Sequence, residues 1–377
     1  MTIKTVVILG GYGNFGKRIA ESLARLPDTK IILTGRNLGK AQELTKQLLK
    51  SISGSIVEAA QLDIYATDFK KQLSNLNPFI TIHTGGPFQG QDFRVPEACI
   101  QCGSHYIDLA DDRRYVCDIT QLNEQAIKNN VLLVSGASSV PGLSSTVIDH
   151  YQNEFADLTH IDFAIAPGNK AERGEATVKG ILSYTGHPFP VFENGKWKQK
   201  YGWMSPRKMY FNDTIGTRCL ANIDIPDLEL FPKRYPACQS VAFQAGLELP
   251  FLHYGMIFMA LLAKFKLVKD WSKYTGLIFN SSEIFKKFGT DIGGMFILLT
   301  GKDNKQQPIS LKWVLEAKDG IGPYIPTLST IIIAKKLLAG EINQIGATPC
   351  LGLYTLNEFD KEALPLGITH KCEINNG

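Results

Sequence analysis

The sequence predicts an α/β protein: an N-terminal doubly wound parallel sheet, then a second α+β domain built on a mixed or antiparallel sheet. Three observations predict it. Over the first 150 residues, apolar β-branched runs alternate with stretches of helical periodicity, the pattern of βαβ units. The first run, Val6-Val7-Ile8-Leu9, ends in glycines, and a helical pattern opens where the glycines stop. Beyond about residue 155 the alternation ceases and strand-like stretches predominate.

The elements follow in order. Strands are expected at 4–10, 30–35, 55–61, 79–83, 105–108 and 131–135, with helices near 15–26, 38–50, 66–75, 92–102 and 118–129 between them. The second part begins with Ile161 to Ala166, which alternates like a half-exposed strand. Further strands are expected at 176–184, 217–224, 239–247, 294–300 and 309–315, and 248–288 reads as helical. Helical periodicity returns from Pro326 to Leu338, with Gly340 as a C-cap. A chain of 377 residues accommodates two domains, here 1–150 and 151–320.

The strand–glycine–helix passage carries the strongest chemistry. Gly11, Gly13 and Gly16 form G-x-G-x-x-G directly after a strand and at the mouth of a helix. The first glycine permits a tight turn, the second lets a pyrophosphate approach the backbone, and the third lets helix and strand pack closely. The helix N-terminus then offers N–H groups and positive dipole to phosphates. Gly11, Tyr12, Gly13, Asn14, Phe15 and Gly16 are the phosphate-loop residues of this Rossmann reading. The bland alternative is a strand–turn–helix without a ligand.

The second strand selects the dinucleotide. An NAD-binding version carries an acidic residue at its end, to accept from the ribose hydroxyls. Here Gly35-Arg36-Asn37 follows the strand, with Lys40 one helical turn on. A guanidinium suits a 2′-phosphate, so NADP is favoured over NAD. The other strand ends supply Asp63, able to reach the adenine or its ribose, then Gly85, Gly86 and Pro87, then Ser138 within the 136–142 loop. The last two groups are expected to flank the nicotinamide ring.

Catalytic candidates are fewer. Tyr106 and Asp108 lie at the fifth strand's carboxyl end, where they could orient substrate or relay a proton; alternatively Tyr106 packs and Asp108 caps a helix. Arg173 could bind a substrate carboxylate or simply be solvated, and Tyr324 faces either a cleft or the core.

Composition narrows the function classes. Forty Lys plus Arg against 36 Asp plus Glu is too balanced to suggest nucleic acid. The start, Met-Thr-Ile-Lys, runs straight into a strand, and seven cysteines are scattered rather than spaced as a framework. A reducing cytoplasm fits both. Cys99 and Cys102 form a C-x-x-C within an apolar helical pattern and lack a second ligand pair, so no metal is expected. H-E-x-x-H, G-x-S-x-G and P-loop motifs are all missing. The uncharged run from Leu249 to Ala263 is short of the roughly 20 residues of a spanning helix. It is followed by Lys264, Lys266 and Lys269, so the expectation is burial in a homodimer or domain interface, or peripheral contact with the inner face of a membrane.

With these residues laid out, the chain resembles the saccharopine dehydrogenase-like (saccharopine reductase-like) oxidoreductases. The resemblance rests on Gly10 to Gly16, His83 to Asp92, Cys99 to Asp111, Ser135 to Ser145, Arg173 to Pro188 and Gly346 to Leu353. It implies an N-terminal NADP-binding Rossmann domain completed by C-terminal residues, here 321–377. It also implies a following α/β domain that carries the substrate cleft and dimer contacts. Relatives in that family form saccharopine, carboxynorspermidine or homospermidine, or act on lipid-linked substrates. The expected activity is hydride transfer between NADP and a C=N or C=O carbon of a small or lipid-like substrate. The alternative is a dinucleotide-binding sensor or scaffold without turnover.

Overall fold

A computed structural model describes residues 3–376. The chain forms two compact units. One comprises residues up to Leu143 with Pro326–Phe359, the other Ser144–Ile325 with residues from Asp360 on.

In the first unit β1 (Lys4–Leu9), β2 (Thr29–Gly35), β3 (Ile56–Gln61), β4 (Ile80–His83), β5 (His105–Asp108) and β6 (Leu132–Ser135) are joined by the strand Gly346–Pro349. The order is Gly346–Pro349, β6, β5, β4, β1, β2, β3, and every pair is parallel. The chain reverses direction across the sheet between β1 and β4, which makes that point the crevice for ligands. Val6 to Leu9 are all buried, as a strand covered on both faces requires. Val7, Leu9, Ile32, Tyr106 and Leu133 share one core cluster with Cys99. Helix α1 (Asn14–Leu23) buries Ile19, Ala20 and Leu23, and α2 (Leu38–Ser51) follows β2. Cys99 and Cys102 lie on the helix Arg94–Cys102. Burial pushes the Cys99 thiol up, and Cys102 Sγ donates to the Cys99 carbonyl at 3.5 Å, so the pair packs as small core residues.

The second unit is built on a seven-stranded mixed sheet. Its order is Arg207–Tyr210, Thr217–Asn222, Ser240–Ala245, Asp157–Ala166, Gly293–Lys302, Pro308–Ala317, Thr369–Asn376. Ser240–Ala245 runs parallel to Asp157–Ala166, and the other pairs are antiparallel. Phe211, Leu220, Phe296 and Val314 pack as one of its cores.

One expectation needs correction here, and the others are refined or extended. Residues 176–184 form a helix, Glu175–Tyr184, not a strand. Val178, Ile181 and Leu182 gave a β-like composition, but Gly174 at the N-cap and Glu175 in the first turn are helix-start signals. The 248–288 stretch is two helices, Pro250–Lys264 and Thr275–Ile284, with a break between them. A hairpin, Pro188–Glu193 with Lys196–Tyr201, was not expected. Its Asn194-Gly195 turn, both residues at positive φ, is the sequence signal for it. The expected helix near 118–129 is a 3₁₀ turn, Ile119–Leu122, running into Asn123–Lys128. Among the described residues no helix is long and apolar enough to cross a membrane.

Candidate functional site

The turn after β1 is shaped by backbone approach. Gly10, at φ 74°, takes the left-handed conformation, and Gly11 N–H donates to the Thr34 carbonyl at 2.9 Å. Gly13 N–H closes the turn on the Gly10 carbonyl at 2.8 Å. A Cβ on Gly16 would lie 2.4 Å from the Gly10 oxygen, so only glycine lets α1 come this close. A Cβ on Gly13 would meet only that oxygen, at 3.1 Å, and otherwise point into open space. Gly13 is also the N-cap of α1 and has no side chain to satisfy the first-turn N–H groups. The first turn holds no acidic residue. A cradle with outward donors, positive dipole and space that a side chain would fill fits a pyrophosphate.

At the end of β2, the Tyr12 ring lies over Gly35, where a Cβ would come within 2.5 Å of it. Tyr12 Oη accepts from Asn37 N–H at 3.1 Å, and Asn37 Oδ1 caps α2 by accepting from Lys40 N–H at 3.0 Å. Asn37 is thus engaged in shaping the turn. Arg36 and Lys40 are exposed beside it. Asp63, after β3, accepts from Tyr65 N–H at 3.0 Å and closes its own turn.

The loop after β4 is held by residues that sequence reasoning passed over. Thr84 Oγ1 donates to the carbonyls of Leu9 (2.9 Å) and Gly10 (3.1 Å), tying this loop to the glycine turn. His83 Nδ1 accepts from Gly85 N–H at 3.3 Å, so Nε2 carries the proton and donates to Gln91 Oε1 at 3.1 Å. Gln91 Nε2 donates to the carbonyls of Gly85 (2.9 Å) and Pro87 (2.7 Å). Gly85, Gly86 and Pro87 are therefore fixed from below. Burial lowers the His83 pKa from 6.5 to about 4, against a smaller opposing effect of Gln91.

The 136–142 loop is latched from the C-terminal helix Ile325–Ala339. Ser329 Oγ donates to the Ser138 carbonyl at 2.8 Å, and Thr330 Oγ1 to that of Ala137 at 2.7 Å. Ser138 is buried. Two adjacent hydroxyls within the apolar run Ile325 to Ala339 were the available signal for this contact.

Tyr106 and Asp108 have no exposed surface. The Tyr106 and Tyr115 hydroxyls share a hydrogen bond of 3.0 Å, and burial raises the Tyr106 pKa well above 10. Asp108 Oδ1 accepts from Gly136 N–H (2.8 Å), Ala110 N–H (2.9 Å) and Ser135 Oγ (3.0 Å). Burial outweighs these donors and lifts its pKa from 3.8 to about 6. The cap of the next helix falls to Asp112, which accepts from Tyr115 N–H at 2.8 Å. In the second unit, Arg173 Nη2 donates to the Asn169 carbonyl (2.9 Å) and Oδ1 (3.2 Å), and its Nε lies 3.9 Å from Glu283 Oε1.

Strand order, glycine cradle and a cationic β2 end together define the first unit as a Rossmann-type dinucleotide-binding unit. Residues 6–134 match the family model for the saccharopine dehydrogenase NADP binding domain. This match supports NADP(H) as the cofactor. Over the whole chain the fold is that of saccharopine dehydrogenase. The apo histidine-tagged saccharopine dehydrogenase (L-Glu forming) from Saccharomyces cerevisiae is similar at TM-score 0.70 and 13% identity, covering 99% of this chain and 100% of that one. A dehydrogenase from Chromobacterium violaceum is similar more loosely, at TM-score 0.40 and 10% identity, covering 85% of this chain and 76% of that one. No curated protein sequence matches.

Proposed function

We propose that the protein is an NADP-dependent oxidoreductase acting on a C=N or C=O carbon of a small or lipid-like substrate. The observation that carries this is the cradle from Gly10 to Gly16, open at Gly13, with Arg36 where an NAD-binding strand would end in a carboxylate. When bound, the nicotinamide supplies or accepts the hydride. This chain's residues bind, orient and shield. Gly11 to Gly16 hold the phosphates, Arg36 and Lys40 meet the 2′-phosphate, and Asp63 reaches the adenosine. Gly85 to Pro87 and Ser138 form rigid walls for the ring, braced by His83, Gln91 and Ser329. Asp108, lifted by burial to a pKa of about 6, gains and loses its proton just below neutral pH, with the Tyr106–Tyr115 hydroxyl pair beside it on the same reading, and Arg173 receives an anionic substrate group.

Arg36→Ala is expected to weaken NADPH binding about tenfold or more while leaving NADH almost unchanged, since a charge-assisted pair is worth about 1.5–3 kcal/mol. Fluorescence titration of both cofactors measures this. Equal weakening of the two removes the 2′-phosphate assignment.

A second reading, an NADP-binding sensor without turnover, is favoured by one observation. Tyr106 and Asp108 are wholly enclosed, and Arg173 is engaged internally. NADPH consumption over a panel of carbonyl and imine substrates separates the two. Tight NADPH binding with no turnover on any of them selects the sensor.

A further inference from the structure

The second unit carries exposed apolar side chains over residues 250–288. Helix Pro250–Lys264 is apolar on every side. Its inner stripe, His253, Met256, Ala260 and Ala263, is buried. Its outer stripe, Phe251, Tyr254 and Phe258, recurs at helical spacing and is exposed, Phe258 at 61%. Beyond the helix the same character continues in Phe265 (70%) and Leu267 (73%), and helix Thr275–Ile284 adds Leu277 (70%) and Ile284 (67%). So many exposed large apolar side chains within residues 251–284 mark a contact site.

Charge says what the contact is. Residues 250–288 hold six lysines and two carboxylates, so they carry the whole net charge of +4, and the rest of the chain is balanced. Both carboxylates are engaged internally. Asp270 accepts from Ser272 N–H at 2.9 Å, and Glu283 pairs with Lys286 at 3.2 Å. Lys264, Lys266 and Lys269 line a cavity of about 410 Å³ with His187 and Tyr201. The Lys264 ammonium lies 4.5 Å from the centre of the Tyr201 ring. The cavity walls are firmly placed. Gly186 packs so tightly on the helix that a Cβ would lie 2.3 Å from the Ala260 oxygen, and Trp271 Nε1 donates to the Met259 carbonyl at 2.8 Å.

A second copy docked face to face would bring together two segments that each carry a net +4, a like-charge arrangement that interfaces avoid. An anionic bilayer meets both demands. Its acyl boundary takes the Phe and Leu side chains, while the lysines reach up to the headgroups. We propose that this face docks the protein on an anionic phospholipid surface, with the Lys264–Lys266–Lys269 cavity receiving a phosphate headgroup. The proposal stands independently of the oxidoreductase reading.

Flotation of the full chain with phosphatidylcholine vesicles, with and without phosphatidylglycerol, tests it. Binding is expected with phosphatidylglycerol, weak without it, and reduced by salt. Lys266→Glu with Lys269→Glu is expected to lower vesicle affinity at least about tenfold, because each basic residue contributes about 1 kcal/mol at such a surface. Phe258→Ser with Leu267→Ser is expected to lower it comparably by removing the inserted side chains. NADPH affinity, which reports on the other unit, and a far-UV spectrum show that each variant is folded. Full chain that ignores phosphatidylglycerol vesicles overturns the proposal. So does a light-scattering dimer that Phe258→Ser dissociates, which would give the face to a second copy. Vesicle binding abolished by inorganic phosphate at unchanged ionic strength also overturns it, because the cavity would then be a site for the free anion.

Discussion

Replacing Gly13 by valine is expected to reduce NADPH affinity at least about 100-fold while leaving the first unit folded. The estimate follows from losing two or more charge-assisted hydrogen bonds of about 1.5–3 kcal/mol each. A Cβ at Gly13 meets only the Gly10 carbonyl, at 3.1 Å, so the added side chain enters ligand space rather than the protein. Gly16→Ala makes the contrast. There the new Cβ lies 2.4 Å from the Gly10 oxygen and 2.8 Å from Gly11 Cα, so α1 must move. That variant is expected to lose about 1–3 kcal/mol of stability as well as affinity. Fluorescence titration beside thermal melts distinguishes the two. A folded Gly13→Val protein that keeps its NADPH affinity would sink the cradle assignment.

The second large effect is the opposed titration of two register partners. His83 on β4 lies opposite Asp108 on β5. Burial depresses the His83 pKa to about 4 and lifts that of Asp108 to about 6. His83 binds fewer protons folded than unfolded, so its contribution to stability is lost as pH falls from 6.5 towards 4. Asp108 binds more protons folded than unfolded. Its contribution is present below 3.8 and is lost as pH rises through 6. Each shift is worth about 3 kcal/mol, and the two slopes oppose each other over the same window. Asp108→Asn is therefore expected to gain stability relative to wild type as pH rises from 4 to 6. His83→Gln is expected to lose stability relative to wild type over that range. Urea unfolding at several pH values reads both differences. Variant profiles parallel to wild type would show that neither group titrates as its burial dictates.

The six N-terminal strands of the first sheet were legible because each of their devices is local, whereas the seventh, Gly346–Pro349, comes to β6 from a remote part of the chain and was not expected. A β-branched run, a glycine turn and a helical period sit within a few residues of one another from Val6 to Ile19, and the next strands repeat the pattern. The second unit was harder to read for the opposite reason. Thr369–Asn376 pairs with Pro308–Ala317, and Ser240–Ala245 with Asp157–Ala166, so their partners are remote and nothing nearby announces them. Glu175–Tyr184 shows how a β-rich composition, Val178, Ile181 and Leu182, masks the local start signals at Gly174 and Glu175. In the site, glycines and Arg36 stood out because their chemistry depends on residue type and spacing. His83, Gln91, Ser329 and Thr330 did not, because they act by bracing backbone carbonyls and amides that only the folded chain brings within reach.

The strand Gly346–Pro349 borders β6 from the far side of residues 136–345, and its arrival has a consequence for biogenesis. At about 5–20 residues per second, a ribosome takes roughly 10–40 s to deliver it after β6 has emerged. Throughout that interval the nascent sheet ends in an uncovered apolar strand, a template for pairing with other chains. The loop at 136–142 likewise waits for Ser329 and Thr330. A fragment ending near residue 143 would make that transient state permanent, and is expected to aggregate rather than bind dinucleotide. The N-terminal unit is thus first to be translated and among the last to be finished.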